Sequence, residues 1–296
     1  MIGEIAALTA AFLWALSSVV YGFLGLKIPP LQLNFLKGII AVILILITLG
    51  IQPINFASIA PLPLFLLALS GLIGIGLGDT AYFFALNNLG ARKTLVLETL
   101  SPPIGALLAF IFIGEIIYPL AWCGIFLTLL GIIWVISERT ADNRIQSKYG
   151  ILWAIAAAVA QAVGSVLSRI ALINSEINPL ESSLVRLVAG TAIAFILMQL
   201  PLFTTVQNIQ QTIKSFSLKT FGIITLAAFG STYFGIWLQQ TSLKFAPTGI
   251  AQTLLATSPL FIIPISLVMG EKISLRSIGG AIVAIAGISL LFAYGA

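Results

Sequence analysis

Long apolar blocks, broken by Pro, Gly and short polar clusters, run through this chain from end to end. A helix crossing ~30 Å of hydrocarbon needs about 20 apolar residues at ~1.5 Å rise each. Read on that scale, the blocks predict ten helices near 4–25, 31–50, 62–88, 93–113, 119–137, 149–173, 180–200, 220–243, 247–269 and 275–294. The longest polar interruption, Ser137 to Lys148, falls almost at the midpoint. It divides the chain into a five-helix unit (1–137), a polar linker (138–148) and a second five-helix unit (149–296). Another break, Thr204 to Thr220, holds Val206, Ile209, Ile213 and Phe216 at helical spacing, which suits a segment lying along the interface.

The two units are copies. Pro30 with Lys37 matches Pro179 with Arg186 at an offset of 149, Ser101-Pro102 matches Ser258-Pro259 at 157, and Gly114-Glu115 matches Gly270-Glu271 at 156. Gly124 and Gly131 match Gly280 and Gly287, also at 156. With five spans per copy, the second must insert upside down relative to the first, which relates the halves by a two-fold axis in the membrane plane. The predicted fold is an all-α membrane protein, ten transmembrane helices in two inverted five-helix repeats around a central cavity.

Composition agrees and removes alternatives. Of 296 residues 59% are apolar and 8% charged, and the mean hydropathy of +1.13 is that of a membrane chain. The single cysteine, Cys123, excludes an internal disulfide framework, and the absence of histidine removes the commonest metal ligand and neutral-pH base. No metal and no cofactor are expected. Ile5 to Leu24 lacks a basic leader and a small-residue cleavage site, so it reads as a retained span. The net charge of +5 suits basic loops against anionic lipid, and no basic-aromatic face for nucleic acid is visible. Eleven Lys and Arg residues fall nearest the odd-numbered connections; only Arg169, Arg186 and Lys244 fall nearest the even ones. The positive-inside rule then places both termini outside a plasma membrane crossed many times.

Polar residues gathered on one stripe of a span mark its inner face. Helix 1 carries Trp14, Ser17, Ser18 and Tyr21, and helix 6 carries Gln161, Gly164, Ser165 and Ser168 at matching positions. Helix 3 has Asp79 and Tyr82, helix 4 Glu98 and Ser101, helix 8 Tyr233, Trp237 and Gln240, and helix 9 Gln252. Helices 2, 5, 7 and 10 lack such stripes through their middles, so helices 1, 3, 4, 6, 8 and 9 are expected to line the path. The bland alternative for any single Ser or Thr is a hydrogen bond within its own helix.

Asp79 and Glu98 are the carboxylates well inside spans, about 13 Å and 7 Å from the nearest helix ends. Low dielectric favours a neutral carboxyl group, which makes both proton-coupling candidates or sites for a substrate amine. The structural alternatives are that Glu98 pairs with Arg92 or Lys93 at the interface, and that Asp79 closes a local break after Gly74, Gly76 and Gly78. Lys37 and Arg186, two turns into their helices, are expected to snorkel to lipid phosphate. Arg186 with Arg169 attracting an anionic group is the alternative. Glu115 and Glu271, at turns, are expected to end helices. Pro102, Pro103, Pro259 and Pro264 can kink helices 4 and 9.

The residues resemble the EamA-type branch of the drug/metabolite transporter superfamily. The resemblance rests on Phe12-Leu13-Trp14-Ala15, Pro29-Pro30-Leu31, Ala85-Leu86, the Ser-Pro and Gly-Glu pairs, Gly235 to Gln240, and Ala246-Pro247 through Pro259. It implies export or exchange of amino acids, related metabolites or toxic compounds through a cavity between the repeats. Gln161 stands where family members often carry tryptophan, and cytoplasmic termini are the family's usual picture, against the charge count. The partners expected are therefore a small-molecule substrate, the bilayer and protons as a coupling candidate, with oligomeric state left open by the sequence. A passive pore is the alternative, distinguished by flux that does not saturate. An enzyme would need a clustered catalytic set, and Asp79 with Glu98 alone do not supply one.

Overall fold

The structure is a computed structural model that describes residues 1–25, 28–50, 60–89, 94, 97–136, 148–200, 217–261, 264 and 275–294. Among these residues it contains ten main helical stretches and no strand. They are α1 (Ile2–Leu24), α2 (Pro30–Gly50), α3 (Pro61–Leu89), α4 (Ser101–Ile113), α5 (Pro119–Ile136), α6 (Lys148–Ile173), α7 (Pro179–Gln199), α8 (Leu218–Phe245), α9 (Thr248–Leu255) and α10 (Leu275–Tyr294). Each falls on one of the ten spans predicted from the apolar pattern. Five of them, α2, α3, α6, α7 and α8, are long and apolar enough within the described residues to cross a membrane, and shorter apolar helices accompany them. Most of the linker at 138–148 and most of the interfacial segment at 204–220 lie outside the described residues, as do Arg92, Lys93, Gly270 and Glu271.

Packing follows the inverted repeat. α1 lies on α8 and α9, and its counterpart α6 lies on α3 and α4. α3 lies on α7, and its counterpart α8 lies on α2. Three pairs, α2 with α7, α4 with α9, and α5 with α10, join each helix to its own repeat mate.

The α5–α10 pair shows the two-fold most directly. A Cβ placed on Gly131 would lie 2.6 Å from the Gly280 carbonyl oxygen, and one on Gly124 would lie 3.0 Å from that of Gly287. Gly124 is the repeat equivalent of Gly280, and Gly131 of Gly287. Each position therefore meets the equivalent of the other, and the helices run antiparallel, as a two-fold contact requires. Glycine is needed here because lipid provides no hydrophobic drive between helices, so close backbone approach must supply the attraction.

Both long interior helices depart from α geometry at matching places. α3 widens into a π-helix at Gly71–Gly78, a run holding four glycines, and α8 does so at Phe229–Phe234. Widening leaves carbonyls without their usual donors, and hydrocarbon offers none, so side chains of the same helix and of neighbouring helices supply them. Asn34 of α2 donates to the Ile75 oxygen at 3.0 Å, and Thr80 to the Gly76 oxygen at 2.6 Å. In α8, Trp14 Nε1 donates to the Ser231 oxygen at 2.8 Å, and Ser17 to the Ala227 oxygen at 3.3 Å.

Gly131→Leu should drive a side chain into the α10 backbone and cost about 1–3 kcal/mol. A thermal-unfolding series in detergent checks this, with Gly222→Ala as the control because no described atom lies within 4 Å of a Cβ there.

Candidate functional site

The polar interior centres on α2, α3, α6, α7 and α8. Lys37 of α2 is only 8% exposed and its Nζ lies 2.5 Å from Asp79 Oδ2, in α3 directly after the π segment. The ammonium also sits over the Phe83 ring, 5.1 Å from its centroid, a favourable placement for a cation. Asp79 is thus both the end of the π segment and a counter-ion. Tyr82 and Glu98 lie within electrostatic reach of Asp79 and of each other, so these three of the residues predicted for helices 3 and 4 share one environment.

Arg186 of α7 is fully buried. Its Nη1 donates to Gln239 Oε1 at 3.1 Å. The π segment makes room for it: a Cβ on Gly71 would collide with the Arg186 backbone, and one on Gly74 would lie 3.3 Å from Nη2 and 3.7 Å from Gln161 Oε1. Gln161 and Ser165, one turn apart on α6, therefore border the same region. Ser165 is fully buried, and its hydroxyl has no hydrogen-bond partner among the described residues.

Neither basic residue snorkels. The expectation that Lys37 and Arg186 reach lipid phosphate is corrected: both point into the bundle, where an acid pairs with one and glycines admit the other. Helices 2 and 7, left out of the six helices expected to line the path, accordingly contribute to the polar interior. What the single-helix stripe missed was visible in the repeat, as a base seven residues after a helix-starting proline in both halves.

Other residues have structural tasks. Arg169 does not wait for an anion: its Nε donates to Glu115 Oε1 at 2.6 Å, and its Nη1 donates to the Leu243 and Lys244 oxygens at the end of α8, each at 2.8 Å. Glu115 Oε2 accepts the Thr248 N–H at 2.8 Å, capping the start of α9. Ser18 bonds back to the Ala15 oxygen in its own helix. Trp14 and Tyr21 dock α1 on the π segment of α8, Tyr21 through the Ser231 hydroxyl at 3.0 Å. Tyr233 shares a hydrogen bond with Thr48 at 2.8 Å within an apolar cluster between α2, α7 and α8, against which Trp237 also packs. Gln240 accepts from Ser182 at 2.7 Å, and Gln252 accepts from Ser101 at 2.6 Å across the α4–α9 contact. A separate apolar cleft of 330 Å³ opens between α2 and α7, lined by residues such as Phe35, Val42 and Phe195. It holds none of the charged groups.

The sequence profile of the EamA-like transporter family matches residues 1–137 and 148–293. The chain belongs to the EamA-like transporter family. Among solved structures, one protein crystal structure aligns over 99% of this chain and 97% of its own, with a TM-score of 0.79 and 18% identity, which shows the fold alone. No curated protein matches the sequence. An EamA-like protein is a membrane transporter of the drug/metabolite transporter type, working on small molecules within a lipid bilayer. In this EamA-like chain the charged groups of the bundle interior lie around the glycine-rich break of α3.

Removing one partner of a partly buried ion pair leaves the other uncompensated. Lys37→Met and Asp79→Asn should each lower stability by about 1–3 kcal/mol, and the double variant by less than the sum. Thermal unfolding of the four proteins checks the coupling; strict additivity would contradict the pairing.

Proposed function

We propose that this chain is a secondary transporter that moves a small metabolite, an amino acid or related compound, by alternating access in export or exchange. The observation that carries this reading is the pair of π segments at matching depths of α3 and α8, each packed on one helix pair of the opposite half. A broken helix beside charged groups is a place where backbone can move without exposing unmet carbonyls to lipid. Two inverted halves make inward-open and outward-open states near mirror images, so a modest difference in contacts moves the equilibrium between them.

The membrane is the cell membrane, and the excess of basic residues at odd-numbered connections favours termini outside it. The repeats span 1–137 and 149–296, joined by the linker at 138–148. Substrate meets the interior bounded by Asp79, Tyr82 and Glu98 of the first half and Gln161 and Ser165 of the second. Glu98 and Asp79 are the groups through which protons would couple to transport.

Counterflow in proteoliposomes tests the carrier reading. Vesicles preloaded with one compound of a panel of amino acids and small metabolites should take up its labelled form transiently and saturably. Linear, unsaturable entry would point to a pore instead. If pH-dependent uptake is unchanged in both Asp79→Asn and Glu98→Gln, proton coupling through these carboxylates is wrong.

A further inference from the structure

Lys37 and Arg186 occupy the same position of the repeat, yet their charges are handled differently. Asp79 neutralises Lys37. Arg186 is 0% exposed, and its Nε and Nη2 have no hydrogen-bond partner among the described residues. Asp79 acts on Arg186 electrostatically, but its Oδ2 is taken by Lys37. Nε and Nη2 form one edge of the guanidinium plane, with parallel N–H bonds, and this is the edge that meets both oxygens of a carboxylate in a fork.

The surroundings suit such a ligand. Gln239, whose Oε1 accepts from Nη1, has its own Nε2 buried with no partner among the described residues, a further donor on the guanidinium's neighbour. Gly74 puts no side chain against Nη2, which would lie 3.3 Å from a Cβ there, and Gln161 of α6 brings its Oε1 within 3.7 Å of the same point. An unpaired charge in low dielectric is costly to keep, and four helices are shaped to keep this one.

We propose that Arg186 anchors a buried anion site that receives the carboxylate of the transported compound, with the Gln239 amide completing it. With Lys37 paired to Asp79, a carboxylate on the open edge would meet the Arg186 charge directly, so the substrate class is a small molecule with a carboxylate at this end. The assignment deepens the reading of the chain as a carrier and rests on it.

Thermal unfolding of the purified full chain in detergent tests the site with paired probes at about 10 mM, where ligand-linked stabilisation becomes visible. The pairs are L-alanine and L-alaninamide, L-phenylalanine and L-phenylalaninamide, L-lactate and lactamide, and acetate and acetamide. At least one carboxylate should raise the midpoint above its amide, and Arg186→Gln should abolish the difference. Arg186→Lys, which keeps the charge but lacks the fork, should weaken binding roughly tenfold. Carboxylates that do no better than their amides in the native protein overturn the proposal, as does an advantage that survives in folded Arg186→Gln. The native comparison needs no variant, so it decides even if both substitutions fail to fold. Counterflow with the same probes separates the two readings: carboxylate-selective binding without exchange keeps the site and removes the carrier. Saturable exchange of uncharged compounds, unaffected by Arg186→Gln, keeps the carrier and removes the site.

Discussion

Hydrocarbon offers no hydrogen-bond partner, and the arrangement of this bundle follows from that constraint. Every carbonyl released by the π segments of α3 and α8 must find a donor inside the protein, which is why Asn34, Trp14 and Ser17 sit where they do. The same constraint explains Arg169 and Glu115, which together meet the last carbonyls of α8 and the first N–H groups of α9 where the chain turns at Ala246-Pro247. Polar residues that a single-helix reading assigns to a water-filled path thus serve in part as the backbone's replacement solvent.

The inverted frame is symmetric but its chemistry is not. α5 and α10 meet through matching glycines, and the π segments recur at equivalent depths. The charges break this symmetry: the first half carries a base with its own acid, the second a base with an open edge. In the carrier reading proposed above, a symmetric frame around an asymmetric charge set would let one ligand bias the equilibrium between two states, because only differential contacts shift it.

The ten helices and the repeat were legible because proline, glycine and the Gly-Glu and Ser-Pro pairs act at their own positions, independent of partners. Gly124, Gly131, Gly280 and Gly287 could be matched by spacing alone, and in the folded chain they touch one another. The fate of Lys37 and Arg186 was not legible, because a stripe read along one helix does not say which neighbour it faces, and a long basic side chain fits either lipid phosphate or a buried acid. Ser18 follows the bland alternative for a hydroxyl at stripe spacing, donating to the Ala15 oxygen of its own helix. The π segments were half visible, as a glycine run in α3, while Phe229–Phe234 carries no such composition and emerges only from packing.

The inverted relation of the halves is the claim on which the rest stands, and thiol labelling tests it most directly. Ile2 and Tyr149 open α1 and α6, are equivalent at an offset of 147, and are both exposed. Single cysteines at these positions, in a Cys123→Ala background, would be treated with a membrane-impermeant maleimide in sealed and in permeabilised cells. The account predicts that one site labels in sealed cells and the other only after permeabilisation. Labelling of both from the same side would contradict it.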